Sequence, residues 1–186
     1  IATGIKMSEK CIYVAVDDNP DLIRQQLFEI LKSPVKDLER LGMLRFVDAY
    51  SWTTGEVKKE EKFAVTGVLE LTQFSGVIRD AGAELGQTVQ EKAGGRRVID
   101  SISSLLVNFE LPSIQKFLSG IARTGIAFGG VTTVFVLEEG SVSDQVLNNI
   151  KYIMDGVIEF KEESGKRFLR IANMKWIKYS RDLIEW

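Results

Sequence analysis

Apolar residues along the chain switch between two rhythms, unbroken short runs and longer helical spacings. Cys11-Ile12-Tyr13-Val14-Ala15-Val16 is a run of the first kind, closed by Asp17-Asp18-Asn19-Pro20. It predicts a buried strand and then a helix start, with Asp18 or Asn19 able to cap and Pro20 suited to the first helical position. Over 21–32, Leu22, Ile23, Leu27, Ile30 and Leu31 recur at the spacing of an amphipathic helix that packs on a sheet. Ser33-Pro34 ends it, a brief helical turn over 35–41 stops at Gly42, and 44–49 reads as the next strand.

Residues 50–62 are polar and follow neither period, which predicts an exposed loop or hairpin. Leu71, Phe74, Val77, Ile78, Ala81, Leu85 and Val89 predict a helix over 69–92, interrupted by Gly76, Gly82 and Gly86. Gly94-Gly95 leads into a strand that ends at Asp100. A helix follows over 111–126, then the most strand-like run, 131–137, with the acidic exit Glu138-Glu139-Gly140, and a helix over 143–154. Segments 156–160 and 166–172 alternate like antiparallel strands joined at Glu163-Ser164-Gly165. Residues 176–186 predict a last edge strand, whose tryptophans suit a subunit contact and core packing equally. The fold class is α/β, with a mostly parallel central sheet flanked by helices and a C-terminal antiparallel hairpin.

Composition narrows the function. A chain of 186 residues suits one domain spanning 1–186. With 24 basic and 26 acidic residues, no strong field of either sign draws DNA or a membrane surface. The absence of histidine removes histidine base catalysis, His-ligated zinc and Ser-His triads, so acid–base work falls to carboxylates or lysines. The lone Cys11 sits in an apolar run as a small buried hydrophobe, and it fits a reducing compartment. With no signal peptide and no apolar run of membrane length, the expected location is the cytoplasm.

The stretch with most chemistry is Arg96-Arg97-Val98-Ile99-Asp100-Ser101-Ile102-Ser103-Ser104. Asp100 falls at the carboxyl end of a buried strand, where open α/β sheets place their ligands, and an aspartate there can hold Mg²⁺ beside nucleotide phosphates. The plainer reading is a strand end whose Asp or Ser caps the next segment. Both stand on these residues alone.

Taken together, the motifs resemble the RecA superfamily of P-loop NTPases, and within it the KaiC-like ATPases common in archaea. The strand 11–16 with Asp17-Asp18 resembles the family strand that ends in paired acidic residues. Residues 97–106 resemble its Walker B segment, and 130–138 the strand whose end senses the γ-phosphate. Tyr152-Ile153-Met154-Asp155-Gly156-Val157-Ile158 resembles its "laDGVI" signature, and 165–171 with Asn173-Met174-Lys175 its terminal hairpin and "K-M-R" motif. The resemblance implies ATP and Mg²⁺ as cofactors, with Asp100 serving the metal and Asp17 and Asp18 the attacking water. It implies Ser101, Thr133 and Glu138 near the nucleotide, and Asn173 and Lys175 at a neighbouring subunit's nucleotide. It further implies a homo-oligomer, a hexameric ring being one form, in which hydrolysis drives or signals a conformational change to an unidentified protein partner.

Three departures bear on activity. The acidic pair is Asp-Asp where the family has mostly glutamates, each one methylene shorter. Asn173 replaces a lysine and Lys175 an arginine, which removes a charge and a bidentate fork. No G-x-x-x-x-G-K-[ST] occurs in these residues. The family's phosphate loop precedes a helix ending in something like Ile1 to Met7, so an incomplete view of a longer protein is expected, with a missing interior strand leaving a gap of about 9.6 Å. A pseudo-ATPase acting as a signalling or scaffold module is the alternative. A recombinase-like DNA-binding paralog is a third, less favoured, reading, with Lys58, Lys59, Arg96 and Arg97 as a local basic patch.

Overall fold

Cys11–Ala15 (β1) lies between Leu44–Asp48 (β2) and Gly95–Asp100 (β3), and Val131–Phe135 (β4) completes a parallel sheet of order β2-β1-β3-β4. The central strand β1 and its neighbour β2 are buried on both faces, as a parallel sheet covered by helices requires. The computed structural model describes residues 1–53, 55 and 60–185, and the chain divides into two compact units, 1–141 and 142–186.

In the first unit, Cys11 and Ala15 pack with Leu44 and Phe46 against Ile23 and Leu27 of Pro20–Leu31 (α2) and Val35 of Val35–Arg40 (α3). The short helix Ala2–Lys6 (α1) precedes β1, and Ile1 and Ile5 join this cluster. The opposite face is covered by Leu71–Ala83 (α4) and Leu111–Ala127 (α6), whose Phe74 and Phe117 stack at 5.4 Å. Ser103–Asn108 (α5) fills the connection between β3 and α6.

Two local expectations shift. The helix foreseen over 69–92 ends at Ala83, and Gly86 takes φ +74°. Gln87 turns inward, and its Nε2 donates to the Gly94 carbonyl at 3.1 Å, so Val89 stays exposed rather than joining a helix face. Gly95, at φ +118°, lets β3 approach β1: a Cβ there would stand 2.0 Å from the Lys10 carbonyl oxygen. The loop over 50–62 is anchored at its start by the helical turn Ser51–Thr53, since buried Asp48 accepts from the Tyr50 and Ser51 amides, each at 2.9 Å.

No empty slot lies between paired strands of this sheet. Among the described residues the outer edge of β4 has no strand neighbour, and Val134 on β4 is 52% exposed.

The second unit is Asp144–Ile153 (α7) followed by Gly156–Glu163 (β5), Lys166–Met174 (β6) and Ile184–Glu185 (β7), an antiparallel sheet of order β5-β6-β7. Ser164 and Gly165 both take positive φ, the geometry of a two-residue type I′ hairpin. The expected last strand contracts to β7, Trp176 is exposed, and Trp186 lies outside the described residues.

Candidate functional site

The chain leaves β1 for β2 on one side, then returns to place β3 and β4 on the other. The direction of winding therefore reverses between β1 and β3. Open α/β sheets bind ligands outside the carboxyl ends of their strands at such a reversal. Register pairs Ala15 with Asp100, which brings Asp17-Asp18 and Asp100-Ser101 to the same end of adjacent strands. The Val16 amide donates to the Asp100 carbonyl at 2.7 Å and ties the two exits together.

Asp17 is held by the turn that follows β3. Its Oδ1 accepts from the Ser104 hydroxyl, and its Oδ2 accepts from the Ser101 hydroxyl and, at 3.3 Å, from the Ser101 amide. Ser101 Oγ in turn accepts from the Ser103 amide at 3.1 Å, and Ser103 Oγ accepts from the Glu138 amide at 3.0 Å. A hydroxyl network thus runs from β1 through α5 to the exit of β4. It borders a cleft of about 330 Å³ lined by Val16, Asp17, Tyr50, Trp52, Ser103, Ser104 and Glu138. The Trp52 Nε1 is buried with no partner among the described residues. Among the described residues the lining holds two carboxylates and no basic side chain.

Asp100 and Asp18 belong to a second cluster. Tyr13 Oη donates to Asp100 Oδ2. The Tyr13 ring stacks on Phe46 at 5.8 Å, and the Arg24 guanidinium lies over Phe46 at 4.3 Å. Arg24 is fixed by Glu39 at 3.0 Å and Glu61 at 3.1 Å. Burial, the hydrogen bond to Asp100 and the charges of Asp100 and Asp18 all push the Tyr13 phenol far above its ordinary range, so it stays a donor. Asp18 is exposed and makes no hydrogen bond or ion pair among the described residues. Asn19, not Asp18, caps α2, accepting from the Asp21 amide at 2.9 Å.

The structure does not bring every expected residue to this end. Thr133 pairs in register with Arg97, three positions before Asp100, or about 10 Å back along the sheet at ordinary strand rise. Its Oγ1 is buried with no partner among the described residues, and of the two expected residues on this strand Glu138 lines the cleft. In the second unit, Lys175 pairs with Asp155 at 3.5 Å, and Asn173 accepts from the Tyr179 hydroxyl at 3.5 Å. Of the basic patch, Arg96 is paired with Glu9 and Arg97 is buried, donating among the described residues to Gln87 Oε1 at 3.5 Å. Lys58 and Lys59 lie outside the described residues.

Tyr13, Tyr50, Trp52, Ser103 and Ser104 escaped the sequence reading. Alternation along β1 puts Tyr13 on the same face as Cys11 and Ala15, but only the strand order places its hydroxyl at Asp100.

Mg²⁺ takes one or two carboxylates, with water and phosphate oxygens completing its shell. Asp100, with one oxygen spare at the carboxyl end of β3, and the exposed Asp18 after the neighbouring β1 are carboxylates that fit that donor set. No cluster of three or more metal-ligating side chains exists among the described residues, so an all-protein cage does not fit. No helix of the described residues is long and apolar enough to cross a membrane.

A family model described as the KaiC ATPase matches residues 1–186. The UPF0273 protein PH0284 of Pyrococcus horikoshii is 28% identical over 183 residues, covering 95% of this chain and 70% of that protein. A UPF0273 protein of Thermotoga maritima is 27% identical over 190 residues, covering 97% and 72%. Among solved structures, the KaiC-like protein PH0186 of Pyrococcus horikoshii superposes with a TM-score of 0.66 at 19% identity, over 97% of this chain and 73% of that one. The uncharacterized protein PH0321 of the same organism, solved with an unknown peptide, superposes with a TM-score of 0.70 at 17% identity, over 100% and 83%.

Proposed function

Because the chain belongs to the KaiC ATPase family, we propose that it binds ATP with Mg²⁺ at the reversal between β1 and β3 and hydrolyses it. The observation that carries the reading is that Asp17-Asp18 and Asp100 leave the carboxyl ends of adjacent parallel strands at the reversal of the sheet. Bound there, Mg²⁺ would neutralise charge building on the phosphate oxygens. Asp100, whose other oxygen accepts from Tyr13, would hold the metal through its spare oxygen. Asp18, with both oxygens unengaged, orients the attacking water and accepts its proton. Asp17 has no free oxygen for that task and serves as the clamp of the β3–α5 turn. Glu138, tied to the same turn through its amide, reports the state of the phosphate end to the exit of β4.

These residues contain no G-x-x-x-x-G-K-[ST], so they supply the metal and water side of the site rather than a phosphate cradle. Asn173 and Lys175 are assigned to a neighbouring subunit's nucleotide in a homo-oligomer, through which hydrolysis signals to a protein partner. ATP binding to the purified protein that requires Mg²⁺ and weakens in Asp100→Asn supports the reading. Binding indifferent to both contradicts it.

A second reading, the pseudo-ATPase, is favoured by one observation: Asp17 is fully engaged, so only one of the two acidic residues is available for chemistry. ATP binding without turnover selects it.

A further inference from the structure

We infer that Tyr13 is the positioning residue of the metal site: its hydroxyl fixes one oxygen of Asp100 so that the other faces a divalent cation. This rests on the assignment of Asp100 to the metal. The hydroxyl reaches Asp100 from two residues earlier in register, since Ala15, not Tyr13, is the register partner of Asp100. The ring cannot swing away without losing its stack on Phe46, and Phe46 is itself covered by Arg24, which Glu39 and Glu61 hold. This chain of contacts runs from α3 and the start of the 60s loop to a single carboxylate oxygen.

A carboxylate with two free oxygens rotates about its last bond. One whose Oδ2 is bound by a fixed donor presents Oδ1 in one direction. Groups that orient a metal ligand in this way commonly govern affinity by about 10–100-fold without touching the metal. Phenylalanine at position 13 would keep the stack on Phe46 and lose only the donor.

The probe is Mn²⁺ alone, a hard divalent ion whose free fraction is read by its aqueous paramagnetic resonance and whose bound fraction broadens nearby nuclei. In the wild-type protein with ¹³C-labelled tyrosine, Mn²⁺ broadens Tyr13 ahead of Tyr152 and Tyr179. Tyr13→Phe weakens Mn²⁺ binding about tenfold, while its unfolding midpoint stays within the change expected of a lost hydroxyl. Asp100→Asn removes the site. If Asp100→Asn weakens binding and Tyr13→Phe does not, the positioning role fails while the metal assignment stands. If Asp100→Asn leaves binding unchanged, the metal assignment fails and takes the inference with it. Should Tyr13→Phe not fold, the wild-type broadening decides: Tyr13 not broadened ahead of the exposed tyrosines overturns the inference.

Discussion

Asp17 and Asp18 follow one another in the chain and stand in opposite circumstances: Asp17 accepts from Ser101 and Ser104 with both oxygens, whereas Asp18 bonds to nothing among the described residues. The pair that reads as one catalytic unit in sequence is a clamp beside an unengaged carboxylate. β1 ends at Ala15 and residues 16–18 form a bend, in which Asp17 meets the β3–α5 turn and Asp18 faces solvent.

Asp17→Ala therefore costs stability and Asp18→Asn does not. Hydrogen bonds to a charged acceptor contribute about 1.5–3 kcal/mol each, so loss of the clamp is expected to remove about 2–3 kcal/mol. The exposed Asp18 substitution stays within about 0.5 kcal/mol. Urea unfolding of the two variants reads the difference directly, and equal losses would mean that both carboxylates are structural.

Arg97 is 1% exposed, faces no carboxylate, and leaves its Nε without a partner among the described residues. Burial pushes its guanidinium down to about 10. A buried charge of this kind opposes folding, so Arg97→Met is expected to stabilise the protein by about 1–2 kcal/mol. The sign of the pH effect follows. Between that lowered value and the ordinary one the unfolded chain binds more protons, so wild-type stability gains a contribution as pH rises past about 10. The contribution disappears in Arg97→Met. Unfolding midpoints of both proteins across alkaline pH test this, and parallel curves would contradict it.

Much of this arrangement is legible from one dimension and some of it is not. The run at 11–16 marks a strand because burial on both faces leaves no polar alternation, the run at 131–137 marks one by its β-branched residues, and β1 and β4 each end within two residues of those limits. Asp100 is legible as a strand-end carboxylate for the same reason. Its partner Tyr13 is not, because 87 residues separate them and the strand order alone makes them neighbours. Ser104 and Asp17 are also 87 residues apart. The row of Thr133 is not legible either, because a single residue's register in the sheet, here opposite Arg97, decides how far it stands from the strand end. The helix over 69–92 overran because Leu85 and Val89 keep the helical period past Gly86, where the backbone has already turned.

In the second unit, Glu159 on β5 accepts from Lys151 of α7 at 2.7 Å and from Arg170 of β6 at 2.7 Å. The Lys151 bond chiefly, opposed by burial and aided by Arg170, holds its carboxyl below the usual range. A carboxylate lowered on folding stabilises above its unfolded value and loses that contribution as pH falls through the folded one. The wild-type protein is therefore expected to lose stability as pH falls below about 4.3, the unfolded glutamate value. In Glu159→Gln that part of the acid sensitivity is absent. Acid titration followed by the circular dichroism of both proteins checks this, and an unchanged acid limb in the variant would refute the link.

The most direct test of the central claim is Mg²⁺-dependent ATP hydrolysis by the purified protein, measured beside Asp18→Asn and Asp100→Asn. General-base assistance is worth about 10²–10⁴-fold, so the account predicts turnover in the wild type that falls by that order in Asp18→Asn and requires Asp100. No Mg²⁺-dependent turnover in the wild type, or turnover that survives both substitutions, would contradict it.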